Sequence, residues 1–417
     1  MHLIFFDTPI IRDNLKPFTL TRPIAEIRSG ILTMREKWIR RLVSSLQPSY
    51  FTEAYLQKKY SFHVSGANKL LFINASVYPD EALQQAVAQL AEGQTLKQGE
   101  LLIAAHTSPN QFSTLDHQEY DTPYKEAFEQ LKSMLSPLQN VEYTPQLQQL
   151  TQPWHIFLQN AEQIKADFDL ITKNRQSAQL DDPHTIVYGK QEDIFIEEGV
   201  SIRASILNAE AGPIYLGKNA TVHENAVIKG PFAMLEGSHV NIGSKIREAT
   251  TIGPHSKLGG EVKNVVIFGN SNKGHEGFLG NSVIGEWCNF GADTNASNLK
   301  NNYKPVKVWN YGTHRYEDSG ELFCGLMMGD HSKCGINTMF NTGTVVGVSA
   351  NIFGTGYPGK FIPSFSWGGI EESSVYRIEK ALEVAQHVVQ RRGLQLSEAD
   401  IEILKYIYEH CQAESEK

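Results

Sequence analysis

The stretch MGDHSKCGINTMFNTGTVVGVSANI, residues 328–352, decides the fold of the C-terminal half of this chain. Apolar side chains or a thiol stand at every sixth position, at Met328, Cys334, Phe340, Val346 and Ile352. A period of six fits neither the 3.6-residue turn of an α-helix nor the two-residue alternation of a strand. It is the hexapeptide repeat of a β-helix, in which each turn stacks its inward side chains on those of the previous turn.

The same period continues through most of the chain after a polar segment at Thr172–His184, which marks a domain boundary. It lapses at Pro305–Gly325, which is too polar and aromatic for plain coils and is expected to be a loop or an irregular strand pair. Further inward-facing residues are predicted at Ile194, Val200 and Ile206, at Leu216, Val222 and Ile228, at Met234, Val240, Ile246, Ile252 and Leu258, and at Phe278, Ile284 and Phe290.

We therefore expect a left-handed parallel β-helix over residues 179–370. Residues 371–417 are expected to hold two terminal helices, Ser373–Arg391 and Ser397–Cys411, the second with Ser397 as its N-cap and Asp400 three residues on. These helices should cap the coils or pack on a neighbouring subunit.

Residues 1–178 have a different pattern, in which short apolar runs alternate with amphipathic segments. This alternation predicts an α/β domain with a parallel or mixed sheet. The predicted strands are Leu3–Phe6, Leu70–Asn74 and Gly99–His106, and the predicted helices are Ile31–Leu46, Asp80–Leu90 and Trp154–Arg175.

Composition narrows the function classes. The 417 residues carry a formal net charge of −8, which argues against a general nucleic-acid binder. No apolar run approaches the roughly 20 residues of a membrane span, so no membrane association is expected. The four cysteines show no metal-ligand spacing, which indicates reduced thiols in a cytoplasmic protein.

A basic segment follows the first predicted strand and contains Arg12, Lys16, Arg22 and Arg28 among several prolines. Basic side chains on such a loop suit the binding of phosphate groups. A solvated surface loop would have the same composition, and the residues alone leave both readings open.

A second candidate site lies between Gly260 and Lys304, a stretch rich in glycine, asparagine and lysine around a lone histidine, His275. Transfer of an acyl group to an amine needs a base that removes the ammonium proton, and histidine, with a reference pKa of about 6.5, serves that role near neutral pH. A solvated loop histidine is the plain alternative.

The sequence around His275 resembles a known family. Asn272–Gly280 (NKGHEGFLG) is similar to a Lys-Ala-Gly-His-Leu-Thr-Tyr-Leu-Gly motif, Asn289–Thr294 to Asn-x-Gly-Ala-Gly-Thr, and Ser297–Leu299 to Cys-Asn-Tyr. These motifs belong to the bacterial bifunctional glucosamine-1-phosphate acetyltransferase / N-acetylglucosamine-1-phosphate uridyltransferase family. The match runs without a gap from Glu261 to Lys304.

The resemblance implies a role for each matching residue. His275 would be the general base, and Glu261 would orient that base or hold the substrate amine. Phe278, Asp293 and Ile336 replace a tyrosine, a glycine and a serine of the family, and the Pro305–Gly325 insertion has no counterpart there. The sugar phosphate would be bound by Lys263, Asn289, Lys304 and, across a two-residue gap, Arg247; Asn298 would contact the sugar or the acyl donor; and Ala292 would contact acetyl-CoA through its backbone.

The N-terminal half resembles the sugar nucleotidyltransferases more distantly. Pro17–Pro23 (PFTLTRP) is similar to their Pro-Leu-Thr-x-x-x-Pro motif, although their Gly-rich loop is absent and Ser76 stands where a metal-binding aspartate is found. The resemblance implies nucleotide binding by Arg12 and by Arg22 or Arg28, and use of Mg²⁺ with unidentified ligands.

As a whole the chain resembles a divergent bacterial form of this bifunctional enzyme. That implies acetyl transfer from acetyl-CoA to glucosamine-1-phosphate and uridylyl transfer from UTP to N-acetylglucosamine-1-phosphate, in a homotrimer. Two alternatives stay open at this point: a thymidylyltransferase-like or other sugar-phosphate nucleotidyltransferase/acyltransferase, and a non-catalytic sugar-nucleotide-binding β-helix scaffold.

Overall fold

A computed structural model describes residues 1–42, 48–64, 68–109, 112, 123–369 and 373–415, with side chains up to residue 410. Residues 43–46 of the predicted helix Ile31–Leu46 and Cys411 of the last predicted helix fall outside the part whose side chains are described.

The N-terminal domain is built on a six-stranded mixed sheet with the order β2-β1-β3-β5-β4-β6. Its central strands are parallel, and β5 runs antiparallel to both β3 and β4. The predicted α/β class is confirmed, and so are the three predicted strands. The strands are β1 (His2–Phe6), β2 (Ser49–Phe51), β3 (Leu70–Asn74), β4 (Gln94–Gln98), β5 (Leu101–Thr107) and β6 (Gln139–Glu142).

The helices of this half of the chain are α1 (Pro9–Asn14), α2 (Met34–Leu42), α3 (Glu81–Ala88), α4 (Tyr124–Leu135), α5 (His155–Leu158) and α6 (Asn160–Thr172). Apolar residues of α6 pack against the C-terminal half. Two predicted helices differ from those observed. The first begins at Met34 instead of Ile31, because the Ile31 amide bonds to the Asp167 carboxylate. The segment after Trp154 forms two helices, and Asn160 at the start of the second binds the Gly30 amide and the Ala249 carbonyl.

The C-terminal half is a parallel β-helix with three sides. Side one is formed by β7 (Ile186–Tyr188), β10 (Ile206–Asn208), β13 (Val227–Lys229), β16 (Lys245–Ile246), β23 (Asn295–Ala296) and β28 (Met339–Phe340). Side two is formed by β8 (Ile194–Ile196), β11 (Ile214–Leu216), β14 (Phe232–Met234), β17 (Thr250–Ile252), β26 (Met327–Met328), β29 (Val345–Val346) and β31 (Phe361–Ile362).

Two longer strands, β19 (Glu261–Gly269) and β21 (Phe278–Glu286), turn a corner and belong to sides one and two together. Side three is formed by β9 (Ser201–Ile202), β12 (Thr221–Val222), β15 (His239–Val240), β18 (Lys257–Leu258), β20 (Asn272–Lys273), β22 (Asn289–Phe290), β27 (Lys333–Cys334), β30 (Asn351–Ile352) and β32 (Ser366–Gly368).

The stretch at residues 328–352 behaves as its period predicts. All five of its inward positions are at most 5% exposed. Met328 pairs with Val346 and Cys334 with Ile352, so residues 18 apart lie one turn above each other. Each hexapeptide therefore supplies one side of the β-helix, and three complete a turn.

The register is wrong at two of the other runs. In the first coil Ile194 is buried as predicted, but Val200 and Ile206 are only half-buried, and Ile202 and Leu207 are buried in their place. Phe278 faces outward, and its neighbour Leu279 takes the inward position.

The second error has a physical cause in the length of the coils. Leu258 pairs with Lys273, only 15 residues later, and Asn272 pairs with Asn289, 17 residues later. Because strands β19 and β21 run through a corner without a separate turn, these coils are shorter than 18 residues, and a count in sixes loses its register there.

The Pro305–Gly325 segment leaves the coils as a hairpin, which confirms the predicted excursion. Strands β24 (Lys307–Asn310) and β25 (Arg315–Asp318) pair antiparallel. Val308 and Tyr311 join the core of the N-terminal domain, and the Asn310 amide donates to Asn14 at 3.1 Å.

The N-terminal domain packs on side two of the β-helix. Val266, Val283 and Met327 belong to the same apolar core as residues of the first sheet, and the Phe18 and Phe268 rings lie 5.2 Å apart. Burial of this apolar surface joins the two predicted units; the boundaries 1–178, 179–370 and 371–417 stay predictions.

The chain ends in α7 (Ile378–Gln390) and α8 (Glu398–Ser415). The predicted helix start at Ser373 is wrong, because Ser373–Val375 forms β33, which pairs antiparallel with β32 and covers the last strand of side three. Ser397 caps α8 as predicted, its hydroxyl accepting from the Asp400 amide at 3.1 Å. No described helix has the length and apolar character of a membrane span.

Candidate active site

His275 lies at the corner between sides three and one, between strands β20 and β21, and its side chain is exposed. The backbone beneath it is tightly held, because donors from several coils form hydrogen bonds to the carbonyl groups of four consecutive residues. Asn241 Nδ2 donates to Gly274 at 2.7 Å, Lys273 Nζ to His275 at 2.7 Å, the Asp293 amide to Glu276 at 3.1 Å, and the Glu261 amide to Gly277 at 3.3 Å.

Two glycines make this corner possible. Gly277 has φ +118°, and a β-carbon there would lie 2.2 Å from the Thr294 carbonyl oxygen. Gly260 has φ +77°, and a β-carbon there would lie 2.7 Å from the Gly277 carbonyl oxygen. Glycine tolerates both the positive φ and the close approach. The exposed imidazole is thus carried on a rigid backbone.

Side one presents charged residues next to this corner. Glu261 and Lys263 point outward from β19, and Arg247 projects from the coil before it. Arg247 lies 3.6 Å from Glu261, and Lys263 lies 3.6 Å from Glu248. Exposed ion pairs contribute little free energy, so these side chains can exchange their partners for a charged ligand.

Asn298 also reaches this region. Its Nδ2 donates to Asn281 Oδ1 at 2.8 Å. The same nitrogen lies so close to Gly280 that a β-carbon on that residue would be only 2.7 Å from it. Phe278 stands beside Glu261 in the register of side one, and its amide donates to Asn295 Oδ1 at 2.8 Å. Side one therefore carries Arg247, Glu261 and Lys263, with Asn298 adjoining it.

The other predicted residues of this site lie elsewhere. Asn289 is on side three, where its Oδ1 accepts from Asn272 at 2.9 Å. Ala292 follows at the corner, with its carbonyl accepting from the Asn337 amide at 2.8 Å. Lys304 is exposed at the start of the excursion. The structure therefore does not place Asn289 and Lys304 on the same side as Glu261.

Two residues that hold the His275 corner, Asn241 and Lys273, were not predicted. A signal for one of them existed, because a lysine at an inward position of a hexapeptide repeat breaks the apolar rule. The irregular coil length hid it, since counting in sixes from Leu258 does not reach Lys273.

In the N-terminal domain, the three predicted arginines engage internal partners. Arg12 is fully buried, with Nη1 2.9 Å from the Asp7 carboxylate and further bonds to the carbonyls of Thr19 and Arg22. Burial raises the pKa of Asp7, although the charge of Arg12 opposes this shift. This ion pair fixes the loop after β1 to the sheet.

Arg22 is also buried, and it crosses to the β-helix. Its Nη2 bonds to the Asp330 carboxylate and lies 3.4 Å from Glu286, while its guanidinium stacks over Phe268 at 5.1 Å. Thr21 donates to the same Asp330 carboxylate at 2.7 Å. The loop with the nucleotidyltransferase-like motif is thereby attached to the coils.

Arg28 bonds to the Ile31 carbonyl and lies 3.7 Å from Glu36. Within the described residues, one nitrogen of each of the three arginines is buried without a hydrogen-bond partner: Arg12 Nε, Arg22 Nη1 and Arg28 Nε. These contacts do not bring the three guanidinium groups together around one anion.

The carboxyl end of β3 carries no acidic side chain. Asn74 Oδ1 accepts from the Ser76 hydroxyl at 2.7 Å, and Asn74 Nδ2 donates to the Leu102 carbonyl at 3.0 Å. No group of three or more His, Cys, Asp or Glu side chains suited to a metal ion occurs among the residues whose placement is described. Asn74 and Ser76, at the carboxyl end of β3, therefore do not supply the carboxylate ligands that Mg²⁺ prefers.

Comparison with known proteins agrees with this architecture. The sugar nucleotidyl transferase family matches residues 3–176. The bifunctional protein GlmU of Methanocaldococcus jannaschii is 35% identical over 184 residues, which cover 43% of this chain and 40% of that protein. A bifunctional sugar-1-phosphate nucleotidylyltransferase/acetyltransferase of Sulfurisphaera tokodaii is 32% identical over 161 residues, 34% of this chain and 39% of that protein.

The chain thus matches about two fifths of the length of these relatives. The alignment with a crystal structure of the polySia specific acetyltransferase NeuO covers 47% of this chain and 84% of that chain at 13% identity, with a TM-score of 0.25. By these sequence matches, residues 3–176 are similar to the sugar nucleotidyl transferase family, and parts of the chain are similar to bifunctional sugar-1-phosphate nucleotidylyltransferase/acetyltransferases.

Proposed function

We propose that this chain is a bifunctional enzyme of UDP-N-acetylglucosamine synthesis. The C-terminal half transfers acetyl from acetyl-CoA to glucosamine-1-phosphate, and the N-terminal half transfers UMP from UTP to the N-acetylated product. The observation that carries the proposal is the placement of His275 on a rigid corner beside the exposed charges of Glu261, Lys263 and Arg247.

In the acetyl transfer, the amine nitrogen attacks the thioester carbonyl carbon. A C–N bond forms, the C–S bond breaks, and the departing thiolate takes up a proton to leave as free coenzyme A. The exposed imidazole of His275 accepts the proton that the amine loses. Glu261 holds the amine or the imidazole, and Lys263 and Arg247 bind the phosphate by charge-assisted hydrogen bonds.

We assign the remaining contacts from the family resemblance. Asn289 and Lys304 bind the sugar phosphate, Asn298 contacts the sugar or the donor, and the Ala292 backbone contacts acetyl-CoA. Because Asn289 and Lys304 do not lie on the side that carries Glu261, a neighbouring copy would have to bring them to its site.

A homotrimer would satisfy this requirement. Three exposed apolar residues, Ile242, Ile336 and Phe353, follow strands of side three at the corner that carries His275. Exposed apolar side chains in one region mark a contact surface. Light scattering should give three times the 46.7 kDa of the chain; a monomeric mass would reject this arrangement.

In the nucleotidyl transfer, a phosphate oxygen of N-acetylglucosamine-1-phosphate attacks the α-phosphorus of UTP, and pyrophosphate leaves. We propose, from the family resemblance, that Arg12, Arg22 and Arg28 bind the nucleotide. We assign no residues to Mg²⁺. Pyrophosphate release that survives the loss of all three arginines would remove them from the site.

The test of both activities is product analysis by mass spectrometry. The wild-type protein is incubated with glucosamine-1-phosphate, acetyl-CoA and each of the four NTPs or dTTP, with added Mg²⁺. We expect N-acetylglucosamine-1-phosphate in every reaction and a sugar nucleotide with UTP. A product with dTTP alone would indicate a thymidylyltransferase, and absence of both products would leave a binding scaffold.

A further inference from the structure

Lys273 occupies a position that the β-helix otherwise fills with apolar or small side chains. It pairs with Leu258 on side three, and Phe290 and Cys334 are the inward residues of the next two coils. Lys273 is 2% exposed. A charged side chain in such a column costs free energy unless its charge and donors find partners.

The ammonium group of Lys273 leaves the column towards the His275 corner. Its Nζ donates to the carbonyl oxygen of His275 at 2.7 Å. The ionisable groups facing it are Glu276, Cys334 and Asp293. Burial lowers the pKa of Lys273 to about 8, and these three groups oppose the shift.

We propose that Lys273 is a positioning residue that holds the backbone of His275 from inside the β-helix. Its ammonium group donates a hydrogen bond to the carbonyl oxygen of His275, and Asn241 Nδ2 donates one to the carbonyl oxygen of the preceding residue, Gly274. With both carbonyls fixed, the exposed imidazole retains only its side-chain torsions. The proposal rests on the role of His275 in the proposed function.

Such positioning bears directly on rate. A base has to meet the amine at hydrogen-bonding distance, and a displacement of about 1 Å can cost on the order of 100-fold in rate. Because the outer surface of the corner is exposed, its rigidity depends on contacts from inside the coils. The hydrogen bond from Lys273 to the His275 carbonyl is one of these contacts.

The chain offers a matched control in Lys333. It lies on the same side of the β-helix, its Nζ donates to the His331 carbonyl at 2.8 Å, and burial lowers its pKa too. Its bond holds the corner between sides two and three, at the far end of side three from His275. Replacement of Lys333 therefore removes the same type of bond without touching the corner at 274–277.

The experiment compares Lys273→Met, Lys333→Met and wild type by amide hydrogen exchange and by acetyl-transfer kinetics. Methionine keeps the length of the stem and suits an apolar column. We expect faster exchange at residues 275–278 and a loss of about 10- to 100-fold in kcat for Lys273→Met, with KM for acetyl-CoA within about threefold. Lys333→Met should keep the wild-type exchange at 275–278 and a kcat within about twofold of wild type.

Unchanged exchange at the corner in Lys273→Met would overturn the proposal, and so would faster exchange with kcat within twofold of wild type. If Lys273→Met does not fold, Lys273→Gln, which keeps a donor on a shorter side chain, takes its place under the same criteria. If the wild type transfers no acetyl group, the proposed function fails, and the exchange comparison still decides whether Lys273 holds the corner.

Discussion

Side one of the β-helix and the loop after β1 both carry basic residues that were expected to bind phosphate, yet their surroundings are opposite. The pair Arg247–Glu261 spans 3.6 Å, with side chains 46% and 40% exposed. The pair Arg12–Asp7 spans 2.9 Å, with side chains 2% and 1% exposed. The first pair can open at little cost to receive a ligand, whereas the second is part of the interior.

The difference shows that basic residues near a motif can serve either chemistry or assembly. Arg22 illustrates assembly, since it joins the motif loop to Asp330 of the coils across 308 residues of sequence. Lys263 illustrates the surface alternative, because its carboxylate partner, Glu248, is 38% exposed. Substitutions that separate stability from activity can therefore test the contrast.

The largest effect is expected from Asp330→Ala, which leaves Arg22 buried without its main partner. Breaking a buried ion pair from one side costs about 3–5 kcal/mol, and we expect a loss of that size in the free energy of unfolding, measured with urea. Glu248→Ala removes one carboxylate of an exposed ion pair and should change the free energy of unfolding by less than about 1 kcal/mol. Equal losses in the two variants would erase the distinction between the regions.

A pH effect is expected from the buried charge of Lys273. Its pKa is about 8 in the folded chain, against 10.5 for an exposed lysine. Between these values the unfolded chain binds more protons, so the free energy of unfolding should rise with pH, by at most about 1.4 kcal/mol per pH unit. Below pH 8 both states are protonated and this contribution is flat.

The measurement is the difference in unfolding free energy between wild type and Lys273→Met at pH 7, 8, 9 and 10. Above pH 8, the free energy of unfolding of wild type should rise relative to that of Lys273→Met. A difference that stays constant over this range would mean that Lys273 titrates as an exposed lysine does.

A smaller effect is expected from Lys263→Met. We expect KM for glucosamine-1-phosphate to rise about tenfold, equivalent to about 1.4 kcal/mol, because a phosphate contact is lost, while the unfolding free energy changes by less than about 0.5 kcal/mol. Lys245→Met, an exposed lysine one coil earlier on side one, is the control. The same KM change in both variants would point to general electrostatic attraction instead of a specific contact.

The smallest effect is expected from a double-mutant cycle on Arg247 and Glu261. For an exposed pair at 3.6 Å, the coupling energy in unfolding should lie below about 1 kcal/mol. A coupling of 3 kcal/mol or more would place this pair with the buried ones and contradict its availability to a ligand.

Much of the fold could be predicted from the sequence, because burial in a β-helix follows a strict period. Met328 to Ile352 and Met234 to Leu258 are buried at the predicted positions. The prediction failed at Phe278, where a strand that runs through a corner shortens the coil. Ser373–Val375 was missed because its conformation depends on pairing with the edge of side three, a partner that local sequence does not reveal.

For the site, sequence motifs led to His275 and to its neighbours Glu261, Lys263 and Arg247. They could not show that Arg12 and Arg22 are buried, because the partner of Arg22 lies in the other half of the chain. They also could not show the support by Asn241 and Lys273, since hydrogen bonds to backbone carbonyls leave no motif.

The most direct test is the acetyl-transfer activity of His275→Ala with glucosamine-1-phosphate and acetyl-CoA, followed as release of free thiol. His255→Ala, an exposed histidine at another corner of the same β-helix, is the matched control. We predict that His275→Ala lowers kcat by about 100- to 10,000-fold without changing the free energy of unfolding, and that His255→Ala retains activity. Activity of His275→Ala within a few-fold of wild type would contradict its assignment as the catalytic base.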